Sequence, residues 1–291
     1  MIQESSAMNA SSQTGSSALA DTIRLLVLDI DGTIAGVNND VREPVKQAVR
    51  AVQARGIQVA IATGRMYRSA VRFHRAIGST LPLMAYQGAL IQDPATNTVH
   101  RHWTVPASLC LQLLDYFEQP DLRDLLSVHV YINDQLYVRE LTAETLLYGE
   151  RSEVQPIAVG DLRQALTTEP TKILAMSDDI AVIGNLLGSL RSRYTPAELY
   201  LTTSVATFFE ATNPQVNKGT AVRYLAEDYL GLQPEQVMTI GDNFNDLEML
   251  QYAGISVAMG DAPADVQAAA TWVAPSVEAD GAAVAIEKFL L

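Results

Sequence analysis

The stretch Leu25-Leu26-Val27-Leu28-Asp29-Ile30-Asp31-Gly32-Thr33 decides how the rest of the chain is read. From Ile23 to Ile30 it is a short, nearly continuous apolar run, the pattern of a strand covered on both faces, and such strands belong to parallel sheets. Asp31-Gly32 alone is an ordinary turn pair. Asp29 is not explained that way, because a carboxylate closing an apolar run costs several kcal/mol if it is buried without a partner. In extended chain, Asp29 and Asp31 point to the same side. Two carboxylates so placed repel unless a cation lies between them or one holds a proton.

Downstream, a helix is predicted from about Glu43 to Arg55, with Pro44 in its first turn, Val45, Ala48, Val49 and Val52 on one face, and Gly56 as its stop. A second buried strand, Gln58 to Thr63, completes a βαβ unit. A helix around Arg68 to Ile77 and a strand around Pro82 to Tyr86 repeat the pattern. Beyond about residue 88 the texture becomes alternating, as in Val128 to Val138 and Tyr200 to Thr212, with helices near Ser108 to Phe117 and Ile180 to Arg193. Alternation predicts half-exposed antiparallel strands. After Pro214 the earlier rhythm returns: helix 218–230, strand 236–241, helix 245–252, strand 255–259, helix 263–270, strand 272–274. The fold class is therefore α/β, a Rossmann-like doubly wound parallel sheet interrupted by an inserted α+β unit. The boundaries are a disordered tail over 1–21, a discontinuous core over 22–88 and 214–291, and an insertion over 89–213.

Ligands of open parallel sheets bind outside the carboxyl ends of the strands. Besides Asp29 and Asp31, three such ends carry polar groups. Thr63-Gly64-Arg65 offers a hydroxyl, amides and a guanidinium fork suited to an oxyanion, although Thr63 also suits a helix N-cap. Lys218, after the N-cap Asn217, sits in a first helical turn against the helix dipole, although a lone lysine is commonly a solvated one. Gly241-Asp242-Asn243-Phe244-Asn245-Asp246 offers hard oxygen ligands of the kind Mg²⁺ prefers, Asp242 first and Asp246 second, and Asn245 or Asp246 could also cap the next helix.

As an ordered set, Asp29-Ile30-Asp31-Gly32-Thr33, Thr63, Lys218 and the 241–246 cluster resemble the four motifs of the haloacid dehalogenase superfamily. Ala62-Thr63-Gly64-Arg65, Val216-Asn217-Lys218-Gly219, Ser256-Val257-Ala258-Met259-Gly260, Asp280-Gly281 and the large insertion are similar to its Cof-like phosphatases with a type IIB cap. Gln87 and Asp261 depart from that pattern, each standing where Asn is usual. The resemblance implies a Mg²⁺-dependent phosphatase that hydrolyses a small phosphate monoester, a sugar phosphate or similar metabolite, through an aspartyl-phosphate. Asp29 would be nucleophile and Asp31 acid/base. Gly32, Thr33, Thr63, Gly64, Arg65 and Lys218 would bind phosphate. Mg²⁺ would be held by Asp29, the Asp31 carbonyl and Asp242, with Asn245 and Asp246 supporting its shell. Residues 89–213 would be a cap that closes over the site. A phosphomutase and a non-catalytic phosphometabolite-binding protein are the alternatives.

The bulk composition agrees. Hydrophobic residues make up 48% and charged residues 18%, a globular balance. A net charge of −13 with no basic run argues against nucleic acid as a partner. It also means that a phosphate must be held by local positive groups or a metal. The single Cys110 allows no internal disulfide and reads as a buried small hydrophobe. No apolar run suits a membrane span and no leader pattern opens the chain, so the expected compartment is cytoplasmic. Nothing in the sequence fixes an oligomeric state.

Overall fold

The computed structural model describes residues 22–291; the segment read as a tail, 1–21, lies outside the described residues. In chain order the strands are β1 (Leu25–Leu28), β2 (Gln58–Ile61), β3 (Leu83–Ala85), β4 (Leu90–Gln92), β5 (Val99–His102), β6 (Ser127–Ile132) and β7 (Gln135–Val138). Then come β8 (Ile157–Ala158), β9 (Lys172–Met176), β10 (Tyr200–Thr202), β11 (Phe208–Thr212), β12 (Val237–Gly241), β13 (Ile255–Ala258) and β14 (Trp272–Val273).

Five strands form a parallel sheet in the order β14-β13-β12-β1-β2. Along β1 the period of two divides the apolar run between two cores: Leu26 and Leu28 pack on one face, Leu25 and Val27 on the other. The helices Glu43–Ala54 and Gly281–Leu290 cover the first face through Val45, Val49, Val52 and Ile286. The helix that starts at Lys218 covers the second through Ala221 and Val222. The sheet is thus doubly wound, as its buried strands require. Because Leu28 lies in register with both Ile61 and Ile240, the residues that follow these strands emerge along one edge.

The alternating region forms a six-stranded sheet, β10-β11-β9-β6-β7-β8, antiparallel except where β7 meets β8. Both predicted long strands are hairpins. The first turns at Asn133-Asp134, whose φ angles of 51° and 56° give the two left-handed residues of a tight two-residue turn. The half-exposed character expected of these strands is also corrected, since β6 is almost wholly buried and β9 entirely so. One face packs on the helices Ala107–Phe117 and Ile180–Arg193, through Val130, Ile173, Leu113, Ile183 and Leu186. The other packs on the core, where Tyr131, Leu174 and Met176 join Met66, Tyr86 and Val216. Cys110 is buried among the helix residues, as expected.

A small antiparallel sheet, β3-β4-β5, lies at the junction, with Met84 bridged in parallel to Ala62 at the end of β2. Here Tyr86, Gln87 and Gly88 are consecutively left-handed, with φ of 52°, 61° and 96°. A side chain on Gly88 would put its Cβ 2.5 Å from that of Ala221. The predicted helix 218–230 is α-helical only over Lys218–Arg223 and widens into a π-helical stretch, Tyr224–Tyr229.

Candidate active site

After β1 the chain turns sharply. The carbonyl of Ile30 accepts the amides of Thr33, Ile34 and Ala35 at 3.3, 3.0 and 2.9 Å, and Gly32 bonds back to the Ala35 carbonyl at 3.0 Å. Gly32 has φ +74°, and a Cβ there would lie 2.3 Å from the Asp242 carboxylate, so glycine is needed both for the turn and for the approach of that aspartate. The Thr33 hydroxyl donates to Asp242 Oδ1 at 3.2 Å. The loop after β12 is organised by Asp246, whose Oδ2 accepts the amides of Asp242 and Asn243 at 2.8 and 3.0 Å.

Between these loops stands Lys218, fully buried. Its Nζ lies 2.7 Å from Asp29 Oδ1 and 2.5 Å from Asp246 Oδ1. Asn217 holds it there by capping the helix, its side chain accepting the Thr220 amide at 2.7 Å. Burial works against the charge on Lys218, but Asp246 and Asp29 outweigh it and hold the ammonium above its ordinary range. Asp29 is pushed up to about 7 by burial; Lys218 opposes this, while Asp246 and Asp31 add to it. Burial, then Asp29 and Asp246, raise Asp242 well above the usual carboxylate range.

One oxygen each from Asp29, Asp242 and Asp246 falls within a 4.8 Å span. Two buried carboxylates and the half-buried Asp242 against one ammonium leave an excess of negative charge that a divalent cation would neutralise, and the donors are hard oxygens. Asn245 adds a buried Oδ1 with no hydrogen-bond partner. The residues therefore fit such an ion. Asp246 is the member least free to bind it, since Lys218 and two amides already occupy its oxygens.

Three expectations are corrected. The amides of Gly32 and Thr33, predicted to face phosphate, are taken by the turn itself. Arg65, predicted as a phosphate fork, instead grips Asp31, with Nε to Oδ2 at 2.8 Å and a terminal nitrogen to Oδ1 at 2.5 Å, and also reaches Asn39 at 2.6 Å. Asp31 follows the end of β1 rather than lying in extended strand, and its side chain is half exposed. Asp29 and Asp31 nonetheless line one cavity, with Gly64, Arg65 and Asn245. Thr63 is buried beside it, its hydroxyl accepting the Arg65 amide at 3.2 Å and keeping its own hydrogen to donate.

A family model for haloacid dehalogenase-like hydrolases matches residues 26–286. The chain belongs to that family. Among its relatives is the 5-amino-6-(5-phospho-D-ribitylamino)uracil phosphatase YitU of Bacillus subtilis, 27% identical over 91% of this chain and 97% of the relative. A haloacid dehalogenase-like hydrolase of B. subtilis superposes with a TM-score of 0.80 at 22% identity, covering 92% of this chain and all of the other. The subclass IIB sugar phosphatase BT4131 superposes at 0.76 with 20% identity, over 91% and 98% of the two chains. A Cof-like haloacid dehalogenase fold with a type IIB cap is thus what the sheets described above compose.

In this member of the family the cap contributes two charged residues that sequence reading missed, Lys172 on β9 and Glu210 on β11. They are 2% and 1% exposed. Lys172 Nζ donates to the Gly64 carbonyl at 2.7 Å and to Glu210 at 3.2 Å. Glu210 also accepts from Ser204 and from Gln87, the latter at 3.1 Å, and Gln87 Oε1 accepts from Asn245 at 3.1 Å. One buried polar chain therefore links both loops that flank Asp29 to the cap. The signal was present as a charge at the head of one apolar run, Lys172-Ile173-Leu174-Ala175-Met176, and within another, Phe208-Phe209-Glu210-Ala211. The cavity between these loops and the cap opens to solvent and measures about 410 Å³.

Proposed function

We propose that this hydrolase is a Mg²⁺-dependent phosphatase that cleaves a small phosphate monoester through a covalent phospho-aspartate on Asp29. The observation that carries the reading is Asp29 itself: a buried carboxylate lining the cavity, one oxygen held at 2.7 Å by a buried ammonium, and within 4.8 Å of carboxylate oxygens of Asp242 and Asp246. Asp29 attacks phosphorus, a new P–O bond forms, and the bond to the alcohol breaks. Asp31 gives its proton to the departing oxygen, then accepts one from the water that attacks phosphorus and releases inorganic phosphate and free Asp29. Arg65 fixes the direction of Asp31 through its two-pronged contact with the carboxylate. Lys218 favours the ionised form of Asp29 against the effect of burial and, with the Thr63 hydroxyl and the loop at Gly64, holds the transferring oxygens. Asp29, Asp242 and the Asp31 carbonyl, with Asn245 beside them, would hold Mg²⁺, which would supply positive charge to offset that of the nucleophile and the phosphate. Asp246 positions Lys218 and the Asp242 loop. Residues 89–213 act as the lid that excludes water and contacts the alcohol.

Substitution Asp29→Asn is expected to abolish phosphate release with Mg²⁺ present. Normal turnover by that variant would sink the nucleophile assignment.

A further inference from the structure

The side-chain amide of Asn245 is oriented from the cap. Glu210 on β11 is buried and paired with Lys172, and a carboxylate can only accept hydrogen bonds. Its Oε2 takes Lys172 and the Gln87 side-chain nitrogen at 3.2 and 3.1 Å, and its Oε1 takes the Ser204 hydroxyl. Gln87 is left no choice: its nitrogen must face Glu210, so its oxygen faces Asn245. That oxygen draws the Asn245 side-chain nitrogen to 3.1 Å. Asn245 Oδ1 is thereby left buried without a partner, on a residue that lines the same cavity as Asp29. A buried amide oxygen with no donor is costly, and a hard cation or its bound water would satisfy it.

Gln87 is fixed for this task. It is fully buried and left-handed, and its backbone amide donates to the Thr63 carbonyl at 2.8 Å. Its side-chain nitrogen fills the space beside Gly64, where a Cβ would come within 2.5 Å of it. The 241–246 loop meets the cap a second time through Asn243, whose side chain donates to the Ser204 carbonyl at 3.0 Å. We propose that Glu210 and Gln87 are positioning residues for the cation: the cap carboxylate sets two amides in series and so leaves Asn245 Oδ1 to the ion. Cation affinity then depends on how the cap sits on the core, because the acceptor that starts the series lies on β11. The departure at Gln87 acquires a reason, since the usual Asn is one methylene too short to join Glu210 to Asn245. This rests on the reading of a Mg²⁺-dependent phosphatase and adds to it what sets the affinity for the ion.

Mg²⁺ binding to the full chain is measured by isothermal titration calorimetry without substrate, beside the melting temperature of the cation-free protein. Gln87→Met keeps the side chain's length but neither donates nor accepts, and should weaken Mg²⁺ binding about tenfold. Glu210→Met removes the first acceptor and should weaken it to a similar degree. Glu210→Gln separates positioning from mere structure. Like Glu210→Met it deprives Lys172 of its counter-charge and should lower the melting temperature. Its amide oxygen can still accept from Lys172 and Gln87, however, and its nitrogen can donate to Ser204, so Mg²⁺ affinity should stay within about threefold of the unaltered chain. Unchanged affinity in Gln87→Met, or a loss in Glu210→Gln as large as in Glu210→Met, overturns the positioning role alone. Where a methionine variant fails to fold, Gln87→Asn takes its place, and undiminished Mg²⁺ binding by it overturns the role in the same way. An unaltered chain that shows neither heat of Mg²⁺ binding nor a cation-dependent melting temperature overturns the cation reading, and this inference with it.

Discussion

Lys218 neutralises two buried carboxylates at once, and removing it leaves both without a counter-charge. Lys218→Met should therefore cost about 3–5 kcal/mol in a chemical denaturation experiment, far more than a surface lysine would. The same carboxylates set a pH response in cation-free protein. Asp29 is held at about 7, above its unfolded value, so the folded state binds the proton more tightly. The stability this contributes is present below about pH 4 and is lost as pH rises toward 7. Chelator-treated protein should melt at progressively lower temperature across that window, and Mg²⁺ should raise the melting temperature more at pH 8 than at pH 5. A cation effect independent of pH would count against Asp29 and Asp242 as its ligands.

Strands β9 and β11 carry the Lys172–Glu210 pair, which lies out of water on the cap yet touches the Gly64 turn of the core. Either Lys172→Met or Glu210→Leu alone should destabilise by about 3–5 kcal/mol, whereas the double substitution should recover most of it, a coupling readable in a double-mutant cycle. These two strands also mark where sequence reading stops. The apolar run of β1 revealed its burial, and the polar groups after β1, β2 and β12 revealed a shared edge, because parallel strands all end on one side. Lys218 was legible through its awkward place beside the helix dipole. Alternation across Tyr200 to Thr212 pointed to two faces but said nothing of what covers the polar one, and 172–176 was not read as a strand, so Lys172 and Glu210 went unnoticed. The turn at Asn133-Asp134 was hidden because it carries no glycine. The commitment of Arg65 to Asp31, and of the Gly32 and Thr33 amides to their own turn, depends on distances that spacing along a chain does not contain.

Across the whole molecule, burial lowers the proton affinity of His74, His102 and His129, the last to about 3, with Lys172 adding to the effect on His129. A histidine kept neutral in the fold stabilises it above its unfolded value and loses that contribution as pH falls below about 6.5. With Mg²⁺ present, the melting temperature should drop between pH 7 and pH 5.5, and His129→Phe should flatten that drop. No helix among the described residues is long and apolar enough to cross a membrane. The two crossings between core and cap run side by side: Gly88 on the outward path touches Ala221 and the Asn217 carbonyl just past the return, at 2.5 and 3.2 Å from its ideal Cβ. A segment whose ends meet can be exchanged like a cassette, leaving the carbonyl-end chemistry undisturbed. The buried chain from Gly64 through Lys172 and Glu210 to Asn245 sets the condition on such grafting, for a foreign cap without that lysine and glutamate would dock without connecting to the loops it must help hold.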